Sequence, residues 1–206
     1  LRCLEQIRND AAYHDVNINI VSIGGGFTYG ALGMSHHATE DIAIMRALPN
    51  VTVVAPTTIW ETMEATRSIV KRSGVGYLRL DKKSADDKNG NVGGRFEIGK
   101  ARVLRQGNDV TLVGTGGIID EALIAAEMAH KGNVECRVLS MHTIKPIDTN
   151  AILCAADETK GIISIEEHNI TGGLGSAVGE VCIDNSKVPG FFKRIAIQDT
   201  YSSVVG

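Results

Sequence analysis

Short apolar runs alternate with helical stretches along most of the chain, the pattern of strands feeding helices around a mainly parallel sheet. Residues 1–12 place Leu1, Leu4, Ile7, Arg8 and Ala11 at helical spacing with no capping residue ahead of them, so the chain is expected to begin inside a domain. A strand over 18–23 leads into a helix that Thr39 is expected to cap, with Glu40 and Asp41 in its first turn and Ile42, Met45 and Leu48 facing inward. Pro49 and Asn50 stop it, a strand over 51–54 follows, and Ile59, Met63, Thr66 and Val70 share one face of the next helix. A strand over 76–80 closes this half. Residues 81–95 are polar and rich in turn formers, which reads as a linker. Beyond it, 96–104 alternates like an edge strand. Strands over 110–113, 134–139, 161–165 and 192–197 then alternate with helices near 119–130, 149–156 and 176–184. Two α/β units result, 1–80 and 96–206, each expected to build its own sheet, the first with an open edge.

Three glycine-rich segments sit where such sheets keep ligands, at the carboxyl ends of strands. The first, from Gly24 to Asp41, carries the adjacent imidazoles of His36 and His37 on a loop that opens the next helix. Glycines let that loop turn sharply, and histidines there offer donors, acceptors or a group titrating near neutrality. The same residues also suit an ordinary surface connection. The second, Gly114-Thr115-Gly116-Gly117, starts a helix after a strand as a dinucleotide loop would, yet the next strand ends in Ser140-Met141-His142 with no acidic residue to hold a ribose. The third, Gly172-Gly173-Leu174-Gly175, fits close packing of a loop on a helix.

Composition narrows the partners. The 206 residues carry a net charge of -3, which argues against a nucleic acid held by a basic surface. No apolar run has membrane-spanning length and no signal peptide opens the chain, so a cytoplasmic protein is expected. The four cysteines include no C-x-x-C pair, and neither a metal site nor a disulfide framework is read.

Gly30-x-x-Gly33-x-Ser35-His36, Glu40 and the run Arg46-Ala47-Leu48-Pro49-Asn50-Val51-x-Val53-x-Ala55-Pro56 resemble the pyrimidine-binding domain of transketolases. Tyr77-Leu78-Arg79-Leu80, Glu166-Glu167-His168 and Gly172-Gly173-Leu174-Gly175-Ser176-Ala177-Val178 are similar to later parts of the same family, up to its carboxyl-terminal domain. The resemblance spans nearly the whole chain and is closest to the separate carboxyl-terminal section of split transketolases. It implies the latter part of a pyrimidine-binding domain followed by a Rossmann-like carboxyl-terminal domain. It also implies a thiamine-diphosphate enzyme that moves a two-carbon ketol unit between sugar phosphates.

By the same resemblance, the diphosphate and Mg2+ would lie on an amino-terminal domain or subunit, leaving this chain incomplete alone and placing it in a homodimer or heterotetramer. The glutamate that activates the aminopyrimidine would lie upstream of Leu1. His36 falls on the position of a catalytic histidine, with His37, Lys82 and Arg79 as candidates for binding substrate, the two cations suiting a phosphate. Two positions depart from the family. Leu32 stands where many members have an aspartate that reads acceptor hydroxyls, and Gly24 where they often have a histidine that contacts phosphate, which puts the usual pentose phosphates in doubt. The competing readings are a deoxyxylulose-phosphate synthase, a 2-oxo acid dehydrogenase beta subunit, or a subunit that only dimerises.

Overall fold

In the computed structural model, which describes residues 2–82 and 95–203, the first half runs α1 (Leu4–Gln6), a helical extension (Ile7–Ala12), β1 (Ile18–Ile23), α2 (Asp41–Ala47), β2 (Val51–Val54), α3 (Ile59–Val70) and β3 (Val75–Leu80). The second half adds β4 (Arg102–Arg105), β5 (Val110–Gly114), α4 (Ile119–Lys131), β6 (Cys136–Ser140) and β7 (Thr143–Lys145), then α5 (Thr149–Glu158), β8 (Ile162–Asn169), α6 (Leu174–Asp184) and β9 (Phe192–Ile197). Most of the expected linker, residues 83–94, lies outside the described residues.

Among the described residues the strands form two sheets, ordered β1-β3-β2-β7 and β4-β6-β5-β8-β9. Pairing is parallel except where β7 meets β2 and β4 meets β6. Each half was expected to make its own sheet, and β7 corrects that: Lys145 and Thr143, from the second half, pair with Val53 and Val54. Three residues ahead of a proline carry no strand periodicity, so this strand exists only because β2 offers it a free edge. At the opposite edge β1 leaves Ile18, Val21 and Ile23 exposed. The expected edge strand over 96–104 is reduced to Arg102–Arg105.

The central strands β2, β3, β5 and β8 are buried along most of their length, which explains their nearly continuous apolar sequence, whereas the edge strands β1 and β9 keep exposed residues. On one face of the first sheet Val54 and Leu78 meet Ala65 and Ile69 of α3. On the other, Val53 and Tyr77 join Ile42 and Met45 of α2 in a core that continues into the second half through Met141, Ile144, Ile152, Leu174 and Val178. The largest core is therefore shared. Ile42, Met45 and Leu48 do face inward, as their spacing predicts. The Thr39 cap does not form: Glu40 takes the cap position, and the Thr39 hydroxyl donates to Glu40 Oε2.

α3 turns a different face inward than its apolar residues advertise. Ile59, Met63 and Val70 are exposed, whereas Glu61, Ala65 and Ile69, spaced four apart, are buried. The cause is Glu61. Its Oε2 accepts from the Thr57 amide and hydroxyl and from Ser140 Oγ, and its Oε1 lies 2.8 Å from Arg102 Nη1. Arg102 in turn lies over the Trp60 ring. Thr58 caps the helix by accepting from the Glu61 amide. Ala65 and Ile69 follow Glu61 inward by helical period, and Gly76 leaves the room: a Cβ there would meet Ile69 at 2.7 Å.

Polar groups also fix α2 between the halves. At its first turn the Ala43 amide donates to His168 Nε2, while His168 Nδ1 donates to the Asn169 carbonyl, so the ring is the neutral tautomer. At its end Lys145 Nζ donates to the carbonyls of Arg46 and Leu48, and Arg46 reaches the carbonyls of Gly172 and Gly173. Glu166 accepts from the Leu174 and Gly175 amides and so caps α6 from a neighbouring strand. A Cβ on Gly173 would collide with Glu166 Oε2, so that loop must be glycine.

These buried groups have measurable consequences. Glu61→Ala removes the carboxylate that Arg102, Thr57 and Ser140 bond and is expected to lower unfolding free energy by about 3 kcal/mol or more, whereas Glu64→Ala, at an exposed ion pair, stays within about 0.5 kcal/mol. Urea denaturation of both variants checks it. Burial, the main cause in each case, holds His142 and His168 below the ordinary histidine pKa. Depressed folded-state values give stability that is full above about pH 6.5 and is lost as the pH falls and the unfolded chain takes up protons first. The urea midpoint is therefore expected to drop between about pH 7 and pH 5, less steeply in His168→Gln. Equal slopes for wild type and variant would refute the assignment of His168.

Candidate active site

The joint places the carboxyl ends of β1 and β3, the start of α2 and the start of α4 around one buried guanidinium. Arg79, on β3, is 2% exposed. Its Nε donates to Asp41 Oδ2 at 3.0 Å, Nη1 to Asp81 at 3.2 Å, and Nη2 to the carbonyls of Ala38 and Glu167. Burial works against its charge, and Asp41 and Asp81 outweigh burial and hold it protonated. Arg79 thus organises the rim from inside, and its donors are already committed within the protein.

Asp81 carries the same function one step outward. Its Oδ2 accepts from the Gly117 amide at 2.7 Å, and Thr115 and Gly116 both donate to the Ala55 carbonyl. Gly116 adopts φ +68°, and a Cβ there would sit 2.5 Å from Asp81 Oδ2. The glycine cluster that looked like a nucleotide loop is the seat on which the first half docks. Beside it, Gly26 lies against Glu167, whose carboxylate accepts from the Phe27 amide.

Two cavities are lined by the carboxylate partners of Arg79, one by Asp81 and the other by Asp41. One, of about 520 Å3, is walled by Phe27, Asp81, Lys82, Gly117, Glu121 and Glu167. Lys82 is exposed there and shares the space with three carboxylates. The other, of about 400 Å3, is walled by Ser22, His37, Glu40, Asp41, Tyr77 and Tyr201. Tyr77 donates to Asp41 Oδ2 at 2.8 Å, and burial with the Asp41 charge drives its hydroxyl pKa well up, so it stays a donor.

The tandem histidines part company. His37 lines the second cavity, its ring edge-on to Phe27 and its Nε2 donating to the Gly30 carbonyl at 3.1 Å. His36 is exposed, pairs through Nδ1 with Ser35 Oγ, and lines neither of these cavities. Leu32 is exposed as well. Gly24 takes φ +101°, and the Tyr29 ring fills the space a side chain would need, 2.5 Å from where a Cβ would sit. In the sequence Asp41 reads only as a helix-start charge, Tyr77 stands inside a family motif with no role assigned to it, and nothing marks Tyr201. A tyrosine amid apolar strand residues was the one available signal for Tyr77.

No three His, Cys, Asp or Glu side chains among the described residues converge to hold a metal ion. No helix among them is long and apolar enough to cross a membrane.

Residues 2–87 match the transketolase pyrimidine-binding domain, and residues 99–205 match the transketolase carboxyl-terminal domain. A putative transketolase carboxyl-terminal section from Methanocaldococcus jannaschii is 39% identical over 97% of this chain and 62% of its own length. A subunit of an apulose-4-phosphate transketolase from Phocaeicola vulgatus is 38% identical over 89% of this chain and 59% of its own. The chain thus spans about three-fifths of these curated relatives. Among solved structures, a split-gene transketolase described as an inactive beta4 tetramer superimposes with TM-score 0.87 at 33% identity, covering 98% of this chain and 64% of that one. With both domains matched in order and this identity over nearly its whole length, the chain belongs to the transketolase family, a family of transferases.

Proposed function

We propose that this chain is part of a thiamine-diphosphate-dependent transketolase that moves a two-carbon ketol unit between sugar phosphates, acting with a second, diphosphate-binding polypeptide. The observation that carries the reading is the span of the match: relatives described as a carboxyl-terminal section and as one subunit of a transketolase align with almost all of this chain, across both domains. The split-gene neighbour, described as inactive when assembled from beta chains alone, supports a need for the other polypeptide.

When bound, thiamine diphosphate supplies the nucleophilic carbon that takes up the two-carbon unit. In keeping with relatives described as a carboxyl-terminal section and as one subunit of a transketolase, we assign the metal and diphosphate to the partner and confine this chain to the substrate side. His37 orients a substrate oxygen at the cavity, since its Nε2–H is spent on Gly30 and its Nδ1 remains to accept a proton. His36, held through Ser35, moves a proton at the substrate carbonyl once the partner chain covers the exposed loop. Lys82 is the cation offered to a phosphate from the larger cavity. Cytoplasmic localisation and a homodimer or heterotetramer belong to the same reading.

Reconstitution with the co-purifying diphosphate-binding chain, assayed on a panel of ketose and aldose phosphates, tests it. His36→Ala is expected to lower turnover about a hundredfold or more, with thiamine-diphosphate affinity unchanged. Lys82→Ala is expected to raise KM for phosphorylated substrates and spare unphosphorylated ones. Turnover that requires pyruvate as donor would replace this reading with a deoxyxylulose-phosphate synthase. Turnover to a lipoyl protein would replace it with a 2-oxo acid dehydrogenase beta subunit.

A further inference from the structure

The segment after β9 doubles back onto the first half. The Ile170 amide donates to the Ile197 carbonyl at 2.7 Å, Asn169 Nδ2 reaches Asp199 Oδ1 at 3.3 Å, and the Asn169 amide donates to the Thr39 carbonyl. Further on, the Ser203 carbonyl lies 3.0 Å from where a Cβ on Gly33 would sit. Between these two attachments Tyr201, largely exposed elsewhere, becomes a wall of the cavity that holds His37, Asp41 and Tyr77.

The chemistry of that cavity is one-sided. Asp41 is 5% exposed and spends Oδ2 on Tyr77 and Arg79, while its buried Oδ1 accepts no hydrogen bond. An unmatched buried carboxylate oxygen calls for a donor. Glu40 adds a second carboxylate, and Ser22 and the tyrosines add hydroxyls. No lysine or arginine lines the cavity among the described residues, and Arg79, which pairs with the lining residue Asp41, is neutralised by Asp41 and Asp81. Two carboxylates without a facing cation repel a phosphate. Hydroxyl donors are welcomed by the same oxygens, and two tyrosine rings suit the apolar faces of a carbohydrate chain.

The geometry points to this cavity as a subsite for the uncharged, hydroxyl-bearing part of the substrate, with Tyr201 of the returning carboxyl-terminal segment as its specificity-determining wall. The subsite stands on the cavity itself, and only its identification with the sugar substrate rests on the transketolase reading. Arg79 would then act as the partition, holding Asp41 toward the hydroxyl subsite on one side and Asp81 toward Lys82 on the other.

The test uses the full chain with ribitol, a neutral polyol, and inorganic phosphate as probes, read by calorimetry. Wild type is expected to bind ribitol with a millimolar dissociation constant that tenfold excess phosphate does not change. Tyr201→Ala weakens ribitol at least tenfold, Tyr201→Phe keeps the ring and stays within about threefold, and thermal melts confirm that both variants fold. Asp41→Asn, with its buried pair to Arg79 weakened, is a less safe variant, so the Tyr201 pair decides. No ribitol saturation on wild type, displacement of ribitol by phosphate, or wild-type affinity in Tyr201→Ala would each overturn the subsite. In the reconstituted enzyme Tyr201→Ala is expected to raise the KM for the aldose acceptor about tenfold. An unchanged KM there overturns the subsite and leaves the transferase reading standing. Ribitol binding without turnover on any ketose and aldose pair overturns the transferase reading and leaves the subsite.

Discussion

Arg79 is a fixed positive charge deep in the protein, and an unmatched charge in that setting costs several kcal/mol. Its partners come from four places: Asp41 at the start of α2, the Ala38 carbonyl on the histidine loop, Asp81 at the end of β3, and the Glu167 carbonyl on β8. Because all must be present for the guanidinium to be tolerated, the loop, the helix and the second half are placed relative to one another by a single side chain. Each of the two cavities of the candidate site is walled in part by one of these carboxylates, Asp81 in one and Asp41 in the other. Their charge follows from it too, since two of the carboxylates that line them are the ones neutralising Arg79.

The joint is reinforced at separate points by groups that would be costly if the halves parted. Glu61 and Arg102 share a buried ion pair, His168 caps α2, Lys145 closes its other end, and β7 completes the sheet to which α2 belongs. Together with the shared apolar core, these contacts join the two family domains in this chain. The Glu167 carboxylate and the Asn169 amide, both from the second half, bond the Phe27 amide and the Thr39 carbonyl on either side of His36 and His37.

The transketolase relationship also gives meaning to the departures from the family. Gly24 is locked as glycine by positive φ and by Tyr29, so a phosphate-contacting side chain cannot return there without repacking. Leu32 offers no acceptor, while Asp41, Glu40 and Tyr201 gather acceptors and aromatic surface nearby.

Parallel strands, most helices and the glycine-rich loop bearing the two histidines were legible in the sequence because local periodicity and glycine placement encode them directly. The family motifs added the fold class and the candidate residues. Hydrophobic spacing misjudged α3, where one buried carboxylate with matched partners outweighed an apolar face of Ile59, Met63 and Val70. It also had no means of finding β7, whose strand character is supplied by the edge of β2. Which histidine lines a cavity, why Arg79 is structural, and how Tyr201 comes to stand beside His37 depend on contacts between residues far apart in the chain. A linear pattern determines what each segment prefers to be. Only the tertiary structure decides which charges must find one another, because burial, not sequence neighbourhood, sets the cost of leaving them unmatched.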